Sequence, residues 1–259
     1  MDYFLYKDSG SPIHKLDPRT KIFVLISSFI LSLLFQNPIY NATILFLILI
    51  YGLIGKALVN IKVIWKLIVI ISILSIIIWT FSIDGETKIF WNISKESILY
   101  GISAALKINS MIIAGIIFLT TTRNEDLSLG LIKLGIPYRV GFALSTALRL
   151  VPTFIGTAIT VIQAQKARGF DPFTGNIIER IKKFVPLLGP VFLLTLRSAD
   201  TLSLALESRG FSIKSKRTFY RQLKFGSNDI IYASATFILL VIGVLLKIGG
   251  KGNLSGIIS

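Results

Sequence analysis

Ile230–Leu246 is seventeen consecutive residues without a single charge. A helix needs about 20 mostly apolar residues to cross a bilayer core, so the first constraint on this chain is a membrane. Four further runs precede that one. They are Ile22–Phe35, extended back through Thr20, then Ala42–Gly55, Leu67–Ile83 and Ile98–Thr122. Only Lys107, Asn109 and Ser110 interrupt the last of these. Charged residues are 16% of the chain, against about 25% in soluble proteins. The expected fold is all-α and polytopic, with about five transmembrane helices. The first twenty residues carry six charges, which does not read as a cleavable signal peptide.

Charge orients the spans. Net charge is +15, and between Arg123 and Lys224 sixteen Lys and Arg face six Asp and Glu. In a soluble protein this would suggest nucleic acid. In a membrane protein the positive-inside rule explains it, and no nucleic-acid partner is expected. The Lys7–Lys21 and Lys56–Lys66 stretches are basic too, whereas Gln36–Asn41 is uncharged and Asp84–Ser97 carries −1. The N-terminus and the large basic segment are therefore expected on the cytoplasmic side. Three regions result: 1–122 with four spans, a cytoplasmic domain at 123–225, and a final span and tail at 226–259.

The segment from Arg123 to Phe225 needs closer reading. Val140–Ile162 is apolar enough to span, but Gly141, Ser145, Arg149, Pro152, Gly156, Thr160 and Gln163 recur at nearly the helical period. That is one small, polar face opposite an apolar one. Leu188, Phe192, Leu196, Ala199, Leu202 and Leu206 form a second stripe. If both segments crossed the bilayer, the connector would lie outside with Lys166, Arg168, Arg180, Lys182 and Lys183 against two acids. That charge is wrong for an outer loop. Two amphipathic helices lying on the cytoplasmic side fit better. Phe154, Val161, Phe192 and Leu202 on their apolar faces are expected to pack on membrane helices, a membrane partner or lipid.

Each of these two helices ends in the same way. Ala167-Arg168-Gly169-Phe170 closes the first and Ser208-Arg209-Gly210-Phe211 the second. Glycine past a helix end is an ordinary cap, because it adopts the left-handed conformation cheaply. Arginine in the last turn is favoured by the helix dipole. Those reasons suffice for either motif alone. The repetition suggests two equivalent docking points on a partner with two-fold or pseudo-two-fold symmetry, since a guanidinium fork suits a carboxylate-lined groove.

Other features have plain local explanations. Asp17-Pro18 reads as an N-cap followed by proline at the first helical position, with Arg19 and Lys21 as headgroup anchors. His14 reads as a surface or interfacial polar residue. Asn124 reads as a helix cap with Glu125 and Asp126 in the first turn, and Gly135 and Pro137 as the stop. Lys214–Lys224 holds five basic residues and no acid, a juxtamembrane headgroup patch. There is no cysteine and one histidine, so neither disulfides nor a multi-histidine metal site is available. Walker A, HExxH and GxSxG patterns are absent. No catalytic, metal or cofactor-binding residues are therefore expected. A membrane-embedded enzyme would need a clustered polar site. A self-sufficient secondary transporter, the alternative reading, would show inverted repeats, and the two halves do not match.

The ordered set of motifs is more specific than any one of them. His14-Lys-Leu-Asp-Pro-Arg-Thr-Lys21 comes first, then Thr121-Thr122 and Leu134-Gly-Ile-Pro137. Arg149-Leu-Val-Pro152, Ala164-Gln-Lys-Ala-Arg-Gly169 and Glu207-Ser-Arg-Gly-Phe211 follow. Over nearly the whole chain this resembles the transmembrane T component of energy-coupling factor transporters, the family that includes the CbiQ proteins. The resemblance implies a non-catalytic subunit of a vitamin or metal-ion importer in a prokaryotic plasma membrane. It implies two ATP-binding-cassette ATPases and a small membrane substrate-binding protein, the S component, as partners. Coupling helices in that family end in two short arginine motifs that dock on the ATPases. The matching positions here are Ala167, Arg168 and Gly169, and Ser208, Arg209 and Gly210. The transported substrate is not implied.

Overall fold

This computed structural model describes residues 10–58, 61–83, 88–90, 93–211, 223, 225–250 and 252, and among them the chain forms eight helices. The basic patch Lys214–Lys224 lies, but for Leu223, outside the described residues. In order the helices are α1 (Pro18–Leu34), α2 (Pro38–Ile54), α3 (Ile61–Ser82), α4 (Lys95–Thr121), α5 (Asn124–Lys133), α6 (Tyr138–Ala167), α7 (Ile177–Ser208) and α8 (Ser227–Ile248). One two-stranded antiparallel hairpin, β1 (Lys88–Phe90) with β2 (Ile93–Ser94), precedes α4. It is a small departure from the all-α expectation, formed within the polar 84–97 loop. The chain divides into two compact units. One comprises residues 1–130 and 223–259, and the other residues 131–222.

In the first unit the helix starts follow from short polar side chains next to proline. Asp17 accepts from the Arg19 N–H at 3.0 Å, and Pro18 opens α1. Asn37 does the same for Ile39 at 3.0 Å, and Pro38 opens α2. Proline has no N–H to lose at that position, and its fixed φ suits the helix. So α2 begins four residues before Ala42, and the turn is shorter than the sequence suggests. Ser94 and Ser97 cap α4 reciprocally.

α4 is the central helix, and polar side chains tie it to each neighbour. The Asn41 side-chain amide on α2 donates to Ser103 Oγ at 2.8 Å and to the Phe35 carbonyl at 3.1 Å. Ser32 on α1 meets Ser110 at 2.7 Å. Asn109 donates to Ser72 Oγ on α3 at 2.7 Å. Between membrane helices such bonds help association, because lipid is as apolar as the helices and supplies no hydrophobic drive. Ile113, Ala114 and Ile117 complete the core with Phe35, Ile44, Ile48 and Ala57. At Gly101 an added Cβ would stand 3.1 Å from the Ile76 carbonyl oxygen, so α3 and α4 approach through backbone.

Lys21 departs from its expected role as a headgroup anchor. It is 4% exposed, and its Nζ donates to the Thr121 carbonyl at 2.7 Å and the His14 carbonyl at 3.1 Å. Hydropathy treats lysine at a span end as a snorkelling cation, and cannot see a carbonyl one hundred residues away. Asn124 is the first residue of α5 rather than its cap, while Glu125 and Asp126 do occupy the first turn. His14 is part-buried, with Nδ1 2.7 Å from Ser11 Oγ.

Among the described residues, four helices are long and apolar enough to cross a membrane: α3 from Ile64, α4, α6 and α8. α6, which the charge pattern keeps on the cytoplasmic side, is among them. α1 and α2 have 17 residues each, the short end of the spanning range of about 17–25.

The second unit is built on α6 and α7, which pack against each other. Their connector, residues 168–176, is closely wired. Asp171 Oδ1 accepts the Phe173 N–H at 3.0 Å and lies 3.4 Å from Lys166 Nζ. Lys166 also sits 4.8 Å over the Phe173 ring, and Phe173 meets Phe184 edge-on at 5.6 Å. Lys183 Nζ donates to the Thr174 carbonyl and hydroxyl, each at 3.0 Å. Asn176 and Glu179 form a capping box at the start of α7.

The Phe173 N–H, then Lys166, hold the Asp171 carboxyl below its ordinary value of 3.8. A depressed carboxylate stabilises the fold above its unfolded pKa, and that contribution is lost as pH falls through the folded value. Hydrogen exchange at the Phe173 amide should therefore keep its protection at neutral pH and lose it on acidification below the ordinary carboxylate range. Asp171→Ala should remove the protection at every pH.

Candidate functional site

The paired Arg-Gly motifs are built alike. α6 ends at Ala167, and Arg168 is its C-cap at φ −86° and ψ 9°. Gly169 follows at φ +83°. The Gly169 N–H donates to the Lys166 carbonyl at 2.9 Å, and the Phe170 N–H to the Gln165 carbonyl at 3.0 Å. α7 ends at Ser208, with Arg209 at φ −89° and ψ 9°. Gly210 stands at φ +70°. The Gly210 N–H donates to Glu207 and the Phe211 N–H to Leu206, each at 2.9 Å. Both ends are Schellman-type closures, in which a left-handed glycine lets the next amide reach back to a carbonyl five residues earlier. An added Cβ would touch nothing within 4 Å at either glycine, so backbone conformation rather than space selects glycine.

This geometry separates the roles of the motif residues. Glycine and phenylalanine close the helix through their backbones. Arg168 and Arg209 are the cap residues, one position beyond the last turn where the sequence places them. Their side chains are exposed, as are Ala167 and Ser208. Among the described residues neither guanidinium makes a hydrogen bond or a salt bridge. Capping therefore explains the glycines and leaves the arginines unexplained.

An aromatic contact near the second motif was not foreseen. The Phe211 ring lies 4.7 Å from Phe142, which is 6.0 Å from Tyr138. The repeated phenylalanine was visible in the sequence, but nothing there marked Phe142 as its neighbour.

The four expected packing residues divide. Val161 is 7% exposed and Phe154 and Leu202 are half-buried, whereas Phe192 is 62% exposed. Val185, Leu188 and Leu196 are exposed beside it on α7, whose one buried residue is Leu187. Among the described residues of the second unit nothing covers this stripe. An uncovered run of large aliphatic and aromatic side chains of this kind marks an interaction or lipid-facing surface.

Elsewhere the structure offers little for chemistry. A groove of about 330 Å³ in the first unit is lined by α1, α2, α4 and α8, and is almost wholly apolar. Its polar groups include Lys21, Tyr51, Thr121 and Tyr232. Among the described residues no group of three or more His, Cys, Asp or Glu is placed to hold a metal ion.

Comparison with known proteins agrees with this architecture. The family model described as cobalt transport protein, CbiQ, matches residues 9–220. The chain is 31% identical to the energy-coupling factor transporter transmembrane protein EcfT of Lactococcus lactis, over 93% of this chain and 95% of the relative. It is 30% identical to the EcfT proteins of Acidaminococcus fermentans and Staphylococcus aureus, over 94% and 95% of this chain and 96% of each relative. With its polytopic helical fold and its two matched helix ends, the chain is a multi-pass membrane protein that belongs to the CbiQ family of transporter transmembrane proteins.

Proposed function

We propose that this chain is the non-catalytic coupling subunit of an energy-coupling factor importer in the cell membrane. Two ATPase subunits dock on Ala167-Arg168-Gly169 and Ser208-Arg209-Gly210. The observation that carries this reading is the identical closure of two helix ends with two exposed arginines that the caps do not use. Two equivalent contacts suit a pair of similar ATPases. ATP-driven movement of that pair displaces the ends of α6 and α7. The exposed stripe of α7 passes the displacement to a small membrane-embedded S component that binds a vitamin or metal ion. In this reading α6, although long enough to span, lies with α7 on the cytoplasmic side, because the Lys166–Lys183 stretch that joins them carries five basic residues against two acids. Hydrolysis of ATP belongs to the partners.

Arg168→Ala and Arg209→Ala should each weaken co-purification of the ATPases while leaving membrane insertion unchanged. Truncating a buried charge-assisted contact costs about 2–5 kcal/mol, and the double variant should lose assembly altogether. Lysine should rescue poorly, since it lacks the planar fork. If the arginines served only the helix dipole, alanine would cost about 0.3–1 kcal/mol and lysine would restore it. Full assembly of the double alanine variant would refute the docking role.

The α7 stripe gives a second test. Phe192→Asp should leave the chain alone folded, because the side chain is exposed there, yet abolish stable association with the S component, where the carboxylate would be buried without a partner. Normal assembly of that variant would show that the stripe is not the contact. Topology is checked in the cysteine-free chain. A Lys182→Cys variant in intact cells should resist an impermeant thiol reagent and should label in inverted vesicles.

A further inference from the structure

The chain leaves the first unit after Gly130 and returns to it at Leu223. Both crossings are held, on the first-unit side, by one short segment at the start of α1. On the exit side Lys21 Nζ donates to the carbonyl of Thr121, the last residue of α4, at 2.7 Å. Gly130 lies directly on Pro18, since a Cβ on that glycine would stand 2.9 Å from Pro18 Cβ. On the return side Asp229, in the first turn of α8, accepts the Asp17 N–H through Oδ1 at 2.7 Å. Its Oδ2 accepts the Gly226 N–H at 2.8 Å, which closes the start of α8.

These groups are charged and buried together. Lys21, Asp17 and Asp229 are 4%, 3% and 2% exposed. Asp126, Asp229 and Asp17 surround the Lys21 ammonium electrostatically, and Arg123 opposes them. Breaking a buried group of this kind leaves the remaining charges uncompensated. A segment that only needed to end a helix would use an ordinary cap. Here the cap residue of α1 also donates its backbone N–H to a carboxylate 212 residues away.

Resting on the reading of this chain as a coupling subunit, we propose that Asp17, Lys21 and Asp229 are positioning residues that anchor both tethers of the 131–222 unit to the membrane bundle. A displaced unit does work on a partner only against a fixed support. If the last turn of α4 and the first turn of α8 yielded, movement at Arg168 and Arg209 would be absorbed in the tethers. The anchor joins both tethers to α1 through the side chains of Lys21 and Asp229 and the backbone amide of Asp17, so neither tether yields independently.

The test uses spin labels on Lys56→Cys, at the exposed end of α2, and Lys182→Cys on α7, in the otherwise cysteine-free chain in nanodiscs. The distance distribution is read by pulsed electron resonance for the chain alone and for its complex with the ATPases, with and without ATP and vanadate. Lys21→Met and Asp229→Asn should broaden the distribution at least about twofold in the chain alone. In the complex they should retain ATP hydrolysis but lose the ATP-dependent shift. Lys21→Arg, which keeps a buried donor cation, should recover most of the sharpness, and Lys15→Met, an exposed lysine of the same segment, should behave as the parent. Unchanged widths in Lys21→Met and Asp229→Asn would overturn the proposal. So would failure of both to insert, because the group would then be a folding requirement rather than an anchor. If the parent chain recruits no ATPase, the coupling reading fails while the measurement on the chain alone still decides the anchor.

Discussion

A lysine ammonium buried at the end of a membrane bundle must be surrounded by acceptors, and meeting that demand organises the first unit. Lys21 takes carbonyls from His14 and Thr121, which joins the segment before α1 to the end of α4. Asp229 takes the backbone amide of Asp17, which joins α1 to α8. Removing one member of such a buried group typically costs about 3–5 kcal/mol, because the others lose their compensation. Elsewhere in the bundle the same rule acts through neutral groups. Asn41, Ser32 and Asn109 each find a serine hydroxyl across a helix interface. Because α4 carries or receives all three contacts, its place at the centre of the bundle follows from polar demand as much as from apolar packing.

The second unit obeys a different economy. Its helices are long, its connector is wired by Asp171, Lys166 and Lys183, and its ends are sealed by backbone hydrogen bonds. Among the described residues of the second unit, little covers α7. Sealed ends and an uncovered stripe are complementary. Rigid termini can present Arg168 and Arg209 at fixed positions, while the apolar side chains remain available to a partner. The closures also show why the arginine and glycine of each motif need separate explanations. Glycine answers to φ, whereas neither arginine side chain is used in closing its helix.

Much of this was legible in the residues. Apolar runs located helices α1 to α4 and α8 to within six residues at each end. Asp17-Pro18 announced the start of α1, and the repeated Arg-Gly-Phe announced two equivalent helix ends. Where the reading slipped, the reason is physical. Lys21 looked like a headgroup anchor because sequence shows a cation beside an apolar run and not the carbonyl of Thr121. Asn124 has a capping side chain but stands inside the helix. The two arginines were anticipated as last-turn residues, whereas the left-handed glycines place them at the cap itself.

The sequence by itself determined the membrane class, the helical fold, the charge asymmetry and the two repeated Arg-Gly helix ends. These are local or additive properties, set by transfer free energy, by φ preferences and by net charge along the chain. The tertiary structure alone decided that Lys21 and Asp229 are buried, that α4 is central and that both tethers of the second unit meet the start of α1. It also decided that Phe192 is left uncovered while Val161 is enclosed. Those outcomes depend on which distant groups come within hydrogen-bond reach of one another, and a spacing of one hundred or two hundred residues carries no periodic signal from which that could be read.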